Sequence, residues 1–173
     1  MHIRSLGPDD AAAFQALRLR ALRESPEAFG STHEEEADTP LPTIADRLGA
    51  DARDGNSFVL AAVLDDALVG LAACFRNTRL KERHRASIGG MYVAPEARGR
   101  GLGARLLDAV VARARQWPGL EQLTLTVVPE SAAARRLYLR QGFQPFGRAP
   151  RAFRQGERYF DEEYLWRPLD PAR

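Results

Sequence analysis

The chain contains one cysteine and one lysine, and its apolar runs are short. With Cys74 as its only cysteine, it has no internal disulfide and no metal site built from several cysteines. The apolar neighbours of Cys74 predict a buried strand residue rather than a catalytic thiol. The longest apolar run, Phe58 to Leu64, is too short to span a membrane, and the N-terminus lacks a charged-then-apolar signal segment. We therefore expect a soluble, cytoplasmic protein with no membrane partner.

The charge is nearly balanced, but arginine carries almost all of the positive charge. The formal net charge is +2, from 25 Lys and Arg residues against 23 Asp and Glu residues, and Lys81 is the single lysine. A planar guanidinium binds phosphate or carboxylate through two hydrogen bonds at once, so this composition suits an anionic ligand. Nucleic acid is not expected as that ligand, because the arginines are interleaved with acids and form no basic arm.

The length of 173 residues and the near-average composition predict a single domain, residues 1–173. Helical periodicity and caps predict about four helices: one after Asp10 that ends before Pro26, then 41–48, one from Leu102 and one from Ser131. Apolar and alternating runs predict about seven strands: 2–6, 57–64, 67–75, 86–93, 120–128, 143–146 and 157–167. The first pair of long strands is joined at Asp65-Asp66, as expected for a hairpin.

The stretch from Ile88 to Leu107 combines an apolar strand, a glycine-rich loop and the start of a helix. Glycines at a helix N-terminus let a phosphate approach the unpaired backbone N–H groups, and the helix dipole favours negative charge there. Arg98 and Arg100 add positive charge to this loop. The stretch therefore predicts a pyrophosphate site.

Two well-known phosphate-binding loops, the P-loop and the dinucleotide-binding loop, share part of this pattern. A P-loop requires Lys and Ser or Thr after the last glycine, and Ala104-Arg105 supplies neither. The arrangement Gly99-x-Gly101-x-x-Ala104 does fit a loose dinucleotide pattern, although four or five residues separate it from the strand that it should follow directly. A nucleotide-dependent oxidoreductase is therefore one alternative function.

The arrangement Arg98-x-x-Gly101-x-Gly103, preceded by residues 91–95 (Met-Tyr-Val-Ala-Pro), resembles the acyl-CoA pyrophosphate loop of the GNAT superfamily of N-acetyltransferases. Residues 127–143, which end in Leu-Tyr-x-x-x-Gly-Phe, are similar to the strand and helix of that superfamily's cofactor half. The resemblance covers nearly the whole chain. It implies an α/β domain (α+β in some schemes) with a mixed, mostly antiparallel sheet of about seven strands flanked by about four helices.

The resemblance also implies that acetyl-CoA is the co-substrate and that no metal is required. By this resemblance the Met91 N–H polarises the acetyl carbonyl, main-chain groups of Val93 hold the pantetheine, and Tyr138 donates a proton to the departing thiolate. Ser131 stands where the family usually has asparagine. The expected cofactor-binding residues are Met91, Tyr92, Val93, Arg98, Gly99, Arg100, Gly101, Leu102, Gly103, Ala104, Ser131 and Tyr138.

The implied activity is acetyl transfer to a primary amine, on a small molecule or a protein, by direct attack in a ternary complex. A non-catalytic acyl-CoA-binding or regulatory protein is the alternative. The run Glu34-Glu35-Glu36 predicts a solvated acidic helix start, or a holder or base for a cationic amine, while His84 is a second candidate base. A basic loop at 147–156, with Arg148, Arg151 and Arg154, instead favours an acidic acceptor. A homodimer is compatible with the sequence.

Overall fold

The computed structural model describes residues 1–169, apart from the side chains of residues 51 and 52. Its strands form one sheet in the order β1-β2-β3-β4-β5-β7-β6, and β4–β5 is its parallel pair. This mixed, mostly antiparallel sheet confirms the predicted fold class. The strands are β1 (His2–Ser5), β2 (Ser57–Leu64), β3 (Ala67–Arg76), β4 (Arg85–Val93), β5 (Gln122–Val127), β6 (Gln144–Gln155) and β7 (Arg158–Pro168).

Four helices of eight residues or more lie where the sequence predicts them, and two short ones accompany them. The short helix at 50–54 was not predicted, while the acidic segment at 33–37 does form a helix start. Together the helices are α1 (Ala11–Glu24), α2 (His33–Ala37), α3 (Leu41–Leu48), α4 (Ala50–Asp54), α5 (Leu102–Ala114) and α6 (Ala132–Arg140). In the part of the chain that the structure describes, no helix is both long and apolar enough to span a bilayer.

The β2–β3 hairpin confirms the turn predicted at Asp65-Asp66. Both residues have positive φ angles, 48° and 63°. This is the backbone of a type I′ turn, whose twist matches that of the flanking strands, and aspartate tolerates it better than most residues.

The prediction of a basic loop before the last strand is wrong. Residues 144–155 form strand β6, so Arg148, Arg151 and Arg154 lie on a strand that pairs with β7. Pro150 is compatible with this strand because β6 lies at the edge of the sheet, where the missing N–H of proline costs no ladder bond. The register shifts between Ala149 and Phe153, and Arg151 has a φ of 53°, so a bulge accommodates this segment.

Two clusters of buried side chains cover the two faces of the sheet. In one, Leu106 and Val110 of α5 pack on a face that includes Cys74, and in the other Leu17 of α1 packs with Leu71. Cys74 is fully buried, and this burial raises the pKa of its thiol to about 12. The prediction that Cys74 is a core residue is therefore confirmed.

Strands β4 and β5 separate soon after they begin, which opens the middle of the sheet. They pair only where Arg85–Ser87 lies beside Gln122–Thr124, and the hydroxyl oxygens of Ser87 and Thr124 lie 3.0 Å apart at the last pair. We call the space between the diverging ends, from Ile88 on β4 and Leu125 on β5, the fork. Beyond Ser87, this edge of β4 has no strand beside it.

On its other edge, β4 pairs with β3 through a bulge. Leu71 lies opposite Tyr92 and Ala73 lies opposite Gly89, so two residues of β4, Gly90 and Met91, face a single residue of β3. Gly90 has a φ of 62°, which favours glycine. The bulge therefore lies on the strand that borders the fork.

Candidate active site

The glycine-rich loop has the geometry of an open anion cradle. Gly99 and Gly101 have φ angles of 76° and 72°, and a Cβ atom added to either would have no heavy atom within 4 Å. The first hydrogen bond of α5 is donated by the Arg105 N–H to the Gly101 carbonyl oxygen, so the N–H groups of residues 102–104 precede the helical ladder. This loop fits a pyrophosphate, because phosphate oxygens accept hydrogen bonds from unpaired N–H groups at a helix start.

Two other members of the predicted loop have a packing role. A Cβ atom on Gly103 would lie 3.2 Å from Leu137 Cδ2 and 3.8 Å from Met91 Cε, so this glycine allows α5 to approach α6 closely. The side chain of Leu102 is buried in the core, and only its backbone faces the loop. Ala104 belongs to the same first turn of α5.

Arg98 is held against the end of β4. Its Nε donates to the Val93 carbonyl oxygen at 2.8 Å, and its guanidinium lies 5.9 Å from the centre of the Tyr92 ring. Arg98 therefore fixes the entry of the phosphate loop and occupies one side of the Val93 carbonyl. Arg100 is exposed on the loop itself.

Tyr92 is turned away from the fork and towards α1. Its hydroxyl donates to a carboxylate oxygen of Glu24, and Arg20 bridges Glu24 at 2.8 Å and Glu96 at 2.7 Å. Burial and the neighbouring Glu24 carboxylate raise the pKa of the Tyr92 hydroxyl to about 12. Only the main chain of Tyr92 therefore borders the fork. No local sequence pattern indicates this network, because its members come from three separate segments.

Tyr138 lies in the last turn of α6 with its side chain buried. Its ring meets that of Phe143 edge-on at a centroid distance of 6.2 Å, and burial raises the pKa of its hydroxyl to about 12. The N–H groups of Gly142 and Phe143 donate to the carbonyls of Leu139 and Tyr138, so α6 ends in the glycine cap that the sequence predicts. The phenol is therefore protonated at neutral pH.

Ser131 occupies the N-cap position of α6, but its hydroxyl makes no capping hydrogen bond. Its backbone has φ −74° and ψ 60°, whereas a capping residue usually has an extended conformation that aims its side chain at the helix N–H groups. The side chain of Ser131 therefore does not cap α6.

A cavity of about 290 Å³ lies between α1, α3 and the strands β2 to β4, on the sheet face opposite α5. Its walls are mostly apolar and include Phe14, Leu71 and Phe75. Gly90 of the β4 bulge also lines it. The cavity and the fork therefore meet at the same strand.

Arg18 and Glu36 bring charge into this cavity. Arg18 Nε and Nη2 donate to the two carboxylate oxygens of Glu36 at 2.9 and 2.7 Å, and this bidentate bond lowers the pKa of the Glu36 carboxyl. A carboxylate so stabilised is a weak base. Glu36 belongs to the acidic run that the sequence singles out, but Arg18 was not predicted as a site residue. The signal that could have found it is its spacing of four residues from both Phe14 and Leu22 on the apolar side of α1.

The other candidate bases lie outside this cavity. Glu34 and Glu35 are exposed, and Glu35 accepts from the Thr32 N–H at 2.7 Å in a capping box, as expected for a solvated helix start. His84 precedes β4, six residues before Gly90, which is about 20 Å along a strand. The structure therefore does not bring His84 to the bulge. Within residues 1–169, no cluster of His, Cys, Asp and Glu is arranged to hold a metal ion.

Comparison with known proteins identifies the family. The model of the acetyltransferase (GNAT) family matches residues 18–143. The chain belongs to the GNAT family. It is an N-acetyltransferase by this membership, with acetyl-CoA as its co-substrate, and the open phosphate loop beside the fork fits that molecule. The dinucleotide alternative is thereby excluded.

Individual relatives agree with this assignment. An L-methionine sulfoximine/L-methionine sulfone acetyltransferase of Pseudomonas paraeruginosa is 30% identical over 151 residues, which are 85% of this chain and 86% of the relative. A GNAT acetyltransferase structure from Streptococcus pneumoniae superposes with a TM-score of 0.89 at 24% identity, covering 98% of this chain and 99% of the other. A putative acetyltransferase from Salmonella typhimurium, solved with its cofactor acetyl-CoA, superposes with a TM-score of 0.83 at 22% identity, covering 100% of this chain and 96% of the other.

Proposed function

We propose that this N-acetyltransferase moves the acetyl group of acetyl-CoA to the primary amine of a small molecule, by direct attack within a ternary complex. The observation that carries the proposal is the position of the β4 bulge. One edge of β4 is open along the fork, and Gly90 of the bulge lines the cavity. A donor in the fork and an acceptor in the cavity would therefore meet at one strand, without a covalent enzyme intermediate.

Each reacting group has a candidate partner in the chain. When bound, acetyl-CoA supplies the activated carbonyl and a thiolate leaving group. The N–H groups of residues 102–104 hold its phosphates, and the main chain of Met91 and Val93 borders the fork. Tyr138 carries the proton that neutralises the thiolate, and its raised pKa keeps that proton in place at neutral pH.

The acceptor in this proposal is a small amine. A cavity of about 290 Å³ suits a compact molecule better than a protein segment. The Pseudomonas paraeruginosa relative is named for two amino-acid derivatives, L-methionine sulfoximine and L-methionine sulfone. We extend that acceptor class to this chain: an amine on a short, amino-acid-like molecule. The acceptor's own proton passes to water, since Glu36 is a weak base and the cavity holds no histidine among its described walls.

The test combines calorimetry with thiol release. Wild-type protein is expected to bind acetyl-CoA and to release CoA thiol when L-methionine sulfone is added. Gly101→Glu should lose acetyl-CoA binding because it places a charged side chain in the phosphate loop. Gly119→Glu is the matched control: its φ of 69° imposes the same backbone strain, but it lies in the turn after α5.

Three results would separate the parts of this proposal. Equal acetyl-CoA binding by the wild type and Gly101→Glu would refute the phosphate-loop assignment. Binding of acetyl-CoA without thiol release, across L-methionine sulfone and a panel of small primary amines, would favour the non-catalytic alternative. Ping-pong rather than ternary-complex kinetics would refute direct attack.

A further inference from the structure

We propose that Arg18 selects acceptors that carry a carboxylate, by binding that carboxylate in the cavity. This inference rests on the proposed function, because it assigns a ligand group to the acceptor cavity. Its central observation is that two nitrogens of the Arg18 guanidinium are hydrogen-bonded, whereas the third has no partner among the described residues.

The fixed sides of Arg18 are well defined. Nε and Nη2 are bonded to Glu36, and the guanidinium carbon lies 4.7 Å from the centre of the Phe29 ring. Only 15% of the Arg18 side chain is exposed. The guanidinium is therefore preorganised, and little side-chain entropy remains to be lost when a ligand binds.

The third nitrogen, Nη1, is buried and has no hydrogen-bond partner among the described residues. A buried donor without an acceptor is unfavourable, so a ligand oxygen placed there gains a charge-assisted hydrogen bond and also relieves that cost. Nη1 is covered in this structure, so a small side-chain rotation at the cavity wall has to accompany binding.

The charges around the cavity favour an anion over a second cation. Arg18 and Arg47 both line the cavity, whereas Glu36 is the one carboxylate among its described walls. Both carboxylate oxygens of Glu36 are already bonded to Arg18, and Arg47 adds a further attraction that lowers the pKa of Glu36. Glu36 therefore orients Arg18, and the charge left over in the cavity is positive.

The remaining walls define the rest of the ligand. Phe14, Leu71 and Phe75 offer apolar contact, and the amine has to lie near Gly90, the lining residue that belongs to β4. The ligand class is thus an amine that carries a carboxylate and a short, weakly polar side chain. A simple alkylamine lacks the group that Arg18 recognises.

The experiment measures binding to the protein saturated with CoA, so that no acetyl transfer is needed. L-methionine sulfone is compared by calorimetry with its decarboxylated analogue, 3-(methylsulfonyl)propylamine. Wild-type protein should bind the carboxylate-bearing ligand at least about tenfold more tightly, as expected for one hydrogen bond to a charged group. Arg18→Gln should reduce this preference to about twofold or less.

Two further variants control for charge and folding. Arg53→Gln removes an arginine that also pairs with a carboxylate, Asp46, but is exposed and outside the cavity walls, so the preference should persist. Arg18→Gln leaves Glu36 without its partner, so the double variant Arg18→Gln/Glu36→Gln removes both charges together. It should fold and should also lose the preference.

The outcomes distinguish this inference from the proposed function. A preference that persists in folded Arg18→Gln or in the double variant would overturn the role of Arg18. So would the absence of any preference in the wild type, or the absence of binding. Carboxylate-dependent binding without thiol release in the presence of acetyl-CoA would instead support the Arg18 site and count against the proposed transfer reaction.

Discussion

Replacing Tyr138 with phenylalanine removes one hydroxyl and leaves the packing of α6 in place. The ring contact with Phe143 at 6.2 Å does not involve the hydroxyl, and the phenylalanine ring fills the same buried space. We therefore expect little change in the free energy of unfolding at neutral pH. The change isolates the proton that the phenol holds.

The size of the kinetic effect follows from this role. A positioned general acid contributes roughly 10²–10⁴-fold to a rate, or about 3–5 kcal/mol of barrier at ~1.36 kcal/mol per factor of ten. Tyr138→Phe should lower kcat within this range. The KM for acetyl-CoA should change much less, because in the proposed mechanism the hydroxyl acts on the leaving group in the transition state.

The pKa of Tyr138 adds a second readout. Burial raises it from 10.0 to about 12, so the folded protein keeps the proton between pH 10 and 12 while the unfolded chain loses it. The unfolded state then binds fewer protons than the folded state, and stability falls as pH rises through this window. Below pH 10 the contribution is fully present. Tyr138→Phe should abolish this part of the loss of stability at alkaline pH.

The assay is thiol release at saturating acetyl-CoA, together with urea unfolding from pH 8 to 11. Tyr159→Phe is the control: this tyrosine is 44% exposed on β7, and its ring lies beneath Arg151. It should retain wild-type kcat. A Tyr138→Phe enzyme with kcat within about twofold of the wild type would refute the general-acid assignment.

Two further predictions concern the ion pairs and hydrogen bonds around the site. Tyr92→Phe removes the donor to Glu24. We expect the free energy of unfolding, measured in urea, to fall by about 1 kcal/mol and the KM for acetyl-CoA to rise. An unchanged KM would show that the network does not position the phosphate loop. The lowered pKa of Glu36 implies stability that is present above its usual value of 4.5 and is lost as pH falls through the lower folded value. Glu36→Gln should therefore make the free energy of unfolding less dependent on pH between pH 5 and 3. A pH dependence as steep as that of the wild type would contradict the Arg18 pairing.

The sequence was informative wherever structure depends on neighbouring residues. The two-residue turn at Asp65-Asp66, the glycine cap at Gly142 and the glycines of the phosphate loop each depend on local backbone conformation, which specific residue types favour. All of these lie where they were predicted. The turn sets the register of the two residue pairs next to it, and a shift between Ala62 and Val63 changes the register beyond them.

Features that depend on distant partners were missed or misplaced. Residues 147–155 were predicted to lie in a basic loop, yet they belong to strand β6, which pairs with β7. The position of Arg18 beside Glu36 depends on how α1 and α2 pack, which no local pattern records.

The short pairing of β4 with β5 also bears on how the protein moves. Only the segments Arg85–Ser87 and Gln122–Thr124 join the strands, so few backbone bonds connect the two halves of the sheet directly. A ligand that accepts and donates along the free edge of β4 supplies the missing links between them. Amide hydrogen exchange at Met91 and Val93 should then slow when CoA binds, while the β2–β3 hairpin stays unchanged. In the proposed complex, the co-substrate thus takes the place of a strand at the open edge of β4.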